Sequence, residues 1–401
     1  MMPLERHRPH LVPPEEIHAR IAALQSGLDS RGLALAWIDH LTDRYYYTGS
    51  AQEGVLLVPA SGEPRFFVRK SLTRARSESP LAVAPFPGRS GLLAEAEAPL
   101  QGGRLGLALD VTPAPVYLWL SGKLGGGLED LAAGIRAQKA VKSAWEIEQI
   151  RRANEQATAV FADMDRLLRP EMTELELSAA IEMRLRLLGH SGTLRIRRPG
   201  LELGMIFAVS GDGGLYPTSF DGPDGGEGLY PGAASGSGWK RIAAGETVMV
   251  DIVGSFNGYQ ADTTRCYCVG RQLPEEARRA HAFCQETLER LETELRPGRR
   301  CADIYEETLA WAQGRGLPPG FMGHGENRVK FFGHGVGLDL DEFPILAARI
   351  EGEIRPGMVV AMEPKAFLPG IGPVGVENTY VVTDRGVECL CPLPREIRCV
   401  G

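Results

Sequence analysis

Five side chains in the second half of this 401-residue chain are of the types that hold divalent cations: Asp251, Asp262, His334, Glu363 and Glu377. The two aspartates lie in Thr247-Val-Met-Val-Asp251-Ile-Val-Gly-Ser-Phe-Asn257-Gly258-Tyr-Gln-Ala-Asp262-Thr-Thr-Arg265. Asn257-Gly258 between two strand-like runs is the sequence of a type I′ hairpin turn. With those residues as the turn, Phe256 pairs with Tyr259, Val253 with Asp262, and Asp251 with Thr264. Asp251 and Asp262 then share a face as diagonal neighbours, roughly 7–8 Å apart. The run 247–252 is nearly all apolar, which suits a central strand; an exposed acidic face is the alternative. Buried carboxylates must be protonated, paired or metal-bound.

His334 sits in Phe331-Phe-Gly-His334-Gly-Val-Gly-Leu338, and its flanking glycines leave room around the ring. Taken alone, such a histidine reads as a satisfied structural residue. Glu363 ends the hydrophobic run Met358-Val-Val-Ala-Met-Glu363-Pro364, and Glu377 is embedded in Val374-Gly-Val-Glu377-Asn-Thr-Tyr-Val-Val-Thr383. Together the five residues supply four carboxylates and one imidazole. Four negative charges balance two divalent cations. Oxygen-rich ligation with one nitrogen suits Mn²⁺ first, with Zn²⁺, Co²⁺ or Fe²⁺ as further choices.

The elements that must position these residues follow from periodicity. Residues 15–31 place Ile17, Ile21, Leu24 and Leu28 at helical spacing. Short strand-like runs follow at 33–38, 54–59, 64–68 and 105–109, the pattern of a small α/β domain. The chain loosens at Gly125-Gly126-Gly127, and we place the boundary between two domains at about residue 138. Ser143-Ala-Trp-Glu146 and Thr173-Glu-Leu-Glu176 read as capping boxes opening helices. Two more helices are expected at about 274–296 and 302–315. The order helix, helix, hairpin, helix, helix, strands predicts an α+β unit whose antiparallel sheet is covered by helices. Residues 211–238 form a glycine-rich segment containing Gly-Leu-Tyr-Pro twice. Its Gly236-Ser-Gly-Trp-Lys240 lacks phosphate-loop spacing, so we read the segment as an ordered substrate-covering loop.

Composition excludes other classes. A formal net charge of −7 gives no basic field for nucleic acid or an anionic membrane. No run approaches the ~20 apolar residues of a membrane span. Residues 1–14 are polar and proline-punctuated, without the apolar stretch of a secretory signal. The seven cysteines include the pairs Cys266/Cys268 and Cys389/Cys391. They read as small hydrophobes kept reduced in a cytoplasmic setting, with a zinc site as the alternative.

The order Asp, Asp with Thr264 and Arg265 just after it, Gly-His-Gly, Glu-Pro and a strand glutamate resembles the pita-bread family. That family comprises methionine aminopeptidases, Xaa-Pro aminopeptidases, prolidases and creatinases. Asp43-Arg-Tyr-Tyr-Tyr-Thr-Gly49 is similar to the start of the creatinase/prolidase amino-terminal domain. Gln138-Lys-Ala-Val-Lys-Ser-Ala-Trp-Glu146 is similar to its junction with the catalytic domain. The resemblance implies a 1–138 amino-terminal domain, a 139–401 catalytic domain with a curved antiparallel sheet, and a homodimer. It implies that Asp251 chelates one metal, that His334 and Glu363 hold the other, and that Asp262 and Glu377 bridge them. Glu363 would also act as general base. Thr264 and Arg265 would support the ligands, Arg265 by orienting carboxylates. The activity implied is hydrolysis of an amino-terminal peptide bond, of Xaa-Pro aminopeptidase or dipeptidase type, by a metal-activated water.

The chain departs from this pattern at two positions. Peptide-cleaving members usually carry a histidine seven residues after the metal histidine, where this chain has Asp341. A second usual histidine precedes the first metal aspartate, where this chain reads Leu229-Tyr-Pro-Gly-Ala-Ala-Ser-Gly-Ser237. Asp341 can donate a hydrogen bond only if its pKa is raised. His324 and Lys330 are the nearest cationic candidates to fill in. A hydrolase or lyase of a small non-peptide molecule is therefore the second reading, and an inactive binding module the third.

Overall fold

The computed structural model describes residues 10–270 and 272–400. Residues 1–9, most of the polar stretch read above for a secretory signal, lie outside them. The chain divides between Lys139 and Ala140 into two compact units.

The first unit is a six-stranded mixed sheet with helices. Its central strand, Leu33–Ile38, pairs antiparallel with Gly54–Pro59 and parallel with Arg104–Leu107. The helix Pro14–Ser30 buries Ile17, Ile21, Leu24 and Leu28, the four positions its periodicity marks. The short strands Ala82–Pro85 and Leu128–Asp130 extend the sheet to either side. Neither carries an apolar alternation in the sequence, so neither was expected.

The second unit is built on two sheets, antiparallel throughout except where Arg398–Val400 pairs parallel with Tyr259–Val269. The first centres on the hairpin Thr247–Phe256/Tyr259–Val269, flanked by Ile206–Ser210 and Arg398–Val400. The hairpin register is the one its turn dictates: Phe256 opposite Tyr259, Val253 opposite Asp262, Asp251 opposite Thr264. Asn257 and Gly258 both have positive φ, 49° and 83°, as a type I′ turn requires. The second is a five-stranded sheet in the order Glu342–Ala347, Phe331–Gly335, Val359–Met362, Asn378–Thr383, Gly386–Cys389. A separate two-stranded ribbon joins Lys365–Leu368 to Gly372–Gly375.

The helix Ala144–Ala162 anchors the hairpin. It opens on the capping box of Ser143 and Glu146, and the other oxygen of Glu146 accepts from the Tyr259 hydroxyl at 2.9 Å. Gln149 accepts from the Asn257 amide at 2.9 Å, fixing the turn. Thr263, beside Asp262, donates to Asn154 at 2.9 Å. Contact is so close at Gly254 that a Cβ there would stand 2.0 Å from the Ala153 carbonyl oxygen. The helices Glu275–Glu294 and Cys301–Arg315 pack an apolar core, including Leu288, Ile304 and Phe332, against the other sheet.

Candidate metal centre

The hairpin and the five-stranded sheet meet at the predicted ligands. Thr264 and Glu377 exchange backbone N–H···O bonds at 3.3 Å each way. Thr379 Oγ1 donates to the Asp262 carbonyl at 2.8 Å and accepts from its N–H at 3.0 Å. These bonds hold the hairpin, through its Tyr259–Val269 strand, against the segment carrying Glu377. His334 enters from Phe331–Gly335, where it lies opposite Ala361. Glu363 follows the Val359–Met362 strand directly, with its N–H bonded to Phe332 O at 3.0 Å.

The glycines around His334 have a different reason from the one the sequence suggested. A Cβ at Gly333 would stand 2.3 Å from Ala361 O, and one at Gly335 would stand 2.2 Å from Phe343 O. They admit the neighbouring strands rather than freeing the ring. The imidazole Nδ1 lies 3.2 Å from Gly335 O. In the tautomer that donates there, Nε2 keeps its lone pair and faces Glu363 Oε1 at 3.6 Å.

All five predicted residues converge, and two more join them. Lys365 Nζ lies 2.8 Å from Asp251 Oδ2, 3.0 Å from Glu363 Oε2, 3.1 Å from Asp224 Oδ1 and 3.2 Å from Glu377 Oε2. Lys365 is wholly buried and Asp224 nearly so. The sequence carried a signal for the lysine: residues 363 and 365 flank a proline in a strand-like run, and alternate residues share a face. Asp224, in Gly-Pro-Asp-Gly-Gly, follows no periodicity and left no such trace.

The donor set fits a divalent cation. Asp251 Oδ1, Asp262 Oδ1 and Glu377 Oε1 are buried without a hydrogen-bond partner. Orphaned carboxylate oxygens of this kind are costly unless a cation meets them. Ligand atoms of Asp262, His334 and Glu377 lie within 4.8 Å of one another. Five acids against one ammonium leave an excess of negative charge in a largely buried site. Burial, and then the neighbouring acids, lift the carboxyls of Glu363 and Glu377 to about 8 despite Lys365. Burial also lifts Asp224 to about 7 and holds Asp262 well above the usual range. Asp251 is buried too, but Lys365 and its hydrogen-bonding neighbours outweigh that, and its pKa falls. Burial works against the Lys365 ammonium, yet the four carboxylates raise its pKa well above the ordinary lysine value.

The supporting residues act differently from one another. The Thr264 hydroxyl donates to Glu377 Oε2 at 2.8 Å. Arg265 touches no ligand carboxylate. Its Nη1 donates to the backbone carbonyls of Thr264 and Glu377 at 2.8 and 2.9 Å, and Nη2 to Asn378 Oδ1 at 2.8 Å. It therefore orients Glu377 through the main chain.

A cavity of about 250 Å³ opens beside His334 and Glu363, with Phe331, Ile345, Arg198 and Asp221 in its walls. Asp341 also lines it and accepts from the Arg197 N–H at 3.2 Å. Burial, and more weakly Asp339, raises the Asp341 pKa against that hydrogen bond. His324 and Lys330 are exposed and are not among the residues lining this cavity. The glycine-rich loop supplies Asp221 and Phe220 to the cavity and Asp224 to Lys365. The cysteines are all free, and among the described residues none belongs to a cluster that could hold a metal.

The hairpin and the facing sheet thus bring four acids and one imidazole together, a donor set of the kind that suits a divalent cation. The family model of metallopeptidase family M24 matches residues 148–384, and that of the creatinase/prolidase N-terminal domain matches residues 20–141. The chain belongs to metallopeptidase family M24, and its catalytic unit has the pita-bread fold. It is 27% identical over 399 residues to the probable dipeptidase PepE of Mycobacterium tuberculosis, covering 95% of this chain and 96% of that protein. It is 30% identical over 158 residues to the Xaa-Pro dipeptidase of Pyrococcus furiosus, 39% of this chain and 43% of that protein's length. Among solved structures, the Xaa-Pro dipeptidase from Bacillus anthracis superposes with a TM-score of 0.80 at 22% identity, covering 96% and 100% of the two chains. The dipeptidase PepE from Mycobacterium ulcerans gives 0.80 at 24% identity, covering 97% and 99%.

Proposed function

We propose that this chain is a metal-dependent dipeptidase of Xaa-Pro type, cleaving the peptide bond after the first residue of a very short peptide. The observation that carries the reading is the line of orphaned carboxylate oxygens with His334 and Glu363, next to a cavity of about 250 Å³. The cavity is open to solvent and of a size to take the first residues of a peptide. Cavity and charge agree: Arg198 offers a partner for a free carboxylate, and Asp221 and Asp341 for a free amine. The names of the relatives above support the same substrate class.

Asp262, His334 and Glu377, with Glu363 beside them, would hold the metal. When bound, a divalent ion lowers the pKa of water and polarises a carbonyl. Glu363 stands with Oε1 toward His334 and Oε2 on Lys365, placed to take the proton from the attacking water. Phe331 and Ile345 give the cavity an apolar wall for a proline ring. Mn²⁺ is the expected ion on the oxygen-rich donor set. A cytoplasmic setting suits the free cysteines, and a homodimer is expected from the resemblance. Among the described residues, no helix is long and apolar enough to cross a membrane.

Asp341 supports the second reading, a small non-peptide substrate, because it stands where the peptide-cleaving pattern has a histidine. One panel separates the two. Mn²⁺-loaded protein should release the first residue from Xaa-Pro dipeptides faster than from longer Xaa-Pro peptides, and Glu363→Gln should abolish release. A metal-loaded protein inert to the whole panel leaves the non-peptide reading.

A further inference from the structure

We propose that Lys365 takes the place of one cation in this centre, so that the chain holds a single divalent ion, on Asp262, His334 and Glu377 with Glu363 beside them. The inference rests on the function proposed above only in taking the centre to bind a divalent ion. Its substance is the position of one side chain.

An ammonium has three N–H donors and no acceptor. Here it meets four carboxylate oxygens at 2.8–3.2 Å. Two of these, on Asp251 and Glu377, belong to residues whose charge a second ion would otherwise need. An ion bound to Asp251 Oδ2 at the usual ~2.0–2.2 Å of a carboxylate ligand would crowd Nζ, a like charge, at short range. The oxygens that Lys365 leaves open include Asp262 Oδ1 and Glu377 Oε1. Asp251 Oδ1 is open as well. Among the described residues, however, Asp262, His334 and Glu377 are the one group of three whose ligand atoms all lie within 4.8 Å of one another.

The lysine is built in rather than swung in. It begins the ribbon strand Lys365–Leu368, opposite Gly375. A Cβ at Gly375 would stand 2.7 Å from both Cα and Cγ of Lys365, so that glycine makes room for its stem. The partner acid is built in too. Asp224 belongs to none of the five ligand positions, is 5% exposed, and spends its Oδ1 on Lys365. A centre of two metals and four carboxylates has no call for this fifth acid; a buried ammonium does. The chemical consequence is that Asp251 acts as an ion-pair partner of Lys365 and not as a ligand, while Lys365 fixes the orientation of Glu363.

The test is metal stoichiometry on the full chain, stripped with chelator and reloaded with Mn²⁺. Wild-type protein should hold one Mn²⁺ per chain by elemental analysis and give the electron paramagnetic resonance spectrum of an isolated ion. Lys365→Gly should take up a second Mn²⁺ and show an exchange-coupled spectrum, and Lys365→Arg should stay at one. Two tightly held, coupled ions in the wild type would overturn the proposal, as would no ion at all. The wild-type measurement decides even if Lys365→Gly fails to fold. Peptide hydrolysis is assayed separately: one ion without turnover overturns the dipeptidase reading alone, and two ions with turnover overturn this inference alone.

Discussion

Thr264 and Glu377 hold each other three times: by two backbone hydrogen bonds at 3.3 Å and by the threonine hydroxyl on Glu377 Oε2 at 2.8 Å. This clamp joins the hairpin to the five-stranded sheet and leaves Glu377 Oε1 buried without a hydrogen-bond partner. Thr264→Val keeps the shape and removes the hydroxyl. Outer hydrogen bonds of this sort are worth about 10–100-fold in metal affinity. Chelator competition should show Mn²⁺ binding weakened by that factor, with the fold retained in circular dichroism.

Arg265 is the second link, and its geometry predicts a stability effect more than a chemical one. The buried guanidinium serves six acceptors: the carbonyls of Thr264, Glu377, Leu393 and Pro394, the side-chain oxygen of Asn378 and the sulfur of Cys391. A lysine cannot span that fork. Arg265→Lys should lower unfolding free energy by about 2–3 kcal/mol, the scale of a lost charge-assisted bond that strands its acceptors. Urea denaturation of the metal-free protein would measure it. A change within error would show that the main-chain pairing alone holds Glu377.

Much of this arrangement was legible beforehand. The Asn257-Gly258 turn set the hairpin register, and register placed Asp251 and Asp262 on one face. The two capping boxes located both helix starts, at Ala144 and Glu174. The hidden parts share a cause: they depend on contacts between segments remote in sequence. Asp224 reaches Lys365 across 141 positions, and Gly333 and Gly335 serve neighbouring strands. The short strand Ile206–Ser210 is buried along its whole length, so it lacks the alternation that marks a half-buried strand.

The metal-free protein should become less stable as pH rises from mildly acid to mildly alkaline. Burial and neighbouring acids lift Glu363 and Glu377 to about 8 in the folded state, against about 4.3 for an unperturbed glutamate. Between those values the folded chain binds more protons than the unfolded chain, so unfolding free energy falls with pH. The stabilisation is full below the unfolded pKa and lost through the folded one. A bound cation takes over from those protons and should flatten the slope. Melting temperatures at pH 5, 6, 7 and 8, with and without Mn²⁺, would test this; equal slopes in both series would show that these acids are ionised in the metal-free fold.

The family resemblance put Asp341 at the position of a usual histidine and offered His324 and Lys330 as cationic substitutes, and the structure separates them. Asp341 lines the cavity with its carboxyl pKa raised by burial, whereas His324 is exposed and outside the lining residues. A raised pKa lets Asp341 keep a proton to donate toward substrate, or, when ionised, lets it attract an amine. Asp341→Asn retains a donor and loses the charge. If Asp341 acts by donation, the variant should keep kcat/KM within about tenfold of wild type and lose the fall in activity that ionisation of Asp341 causes. If it acts by charge, the loss should appear in KM, by the factor of about 10–100 that a buried charge-assisted bond of 1.5–3 kcal/mol represents. His324→Ala should change neither parameter by more than about twofold, as expected for a surface substitution. A large His324→Ala effect would mean that the loop carrying it closes over substrate during turnover.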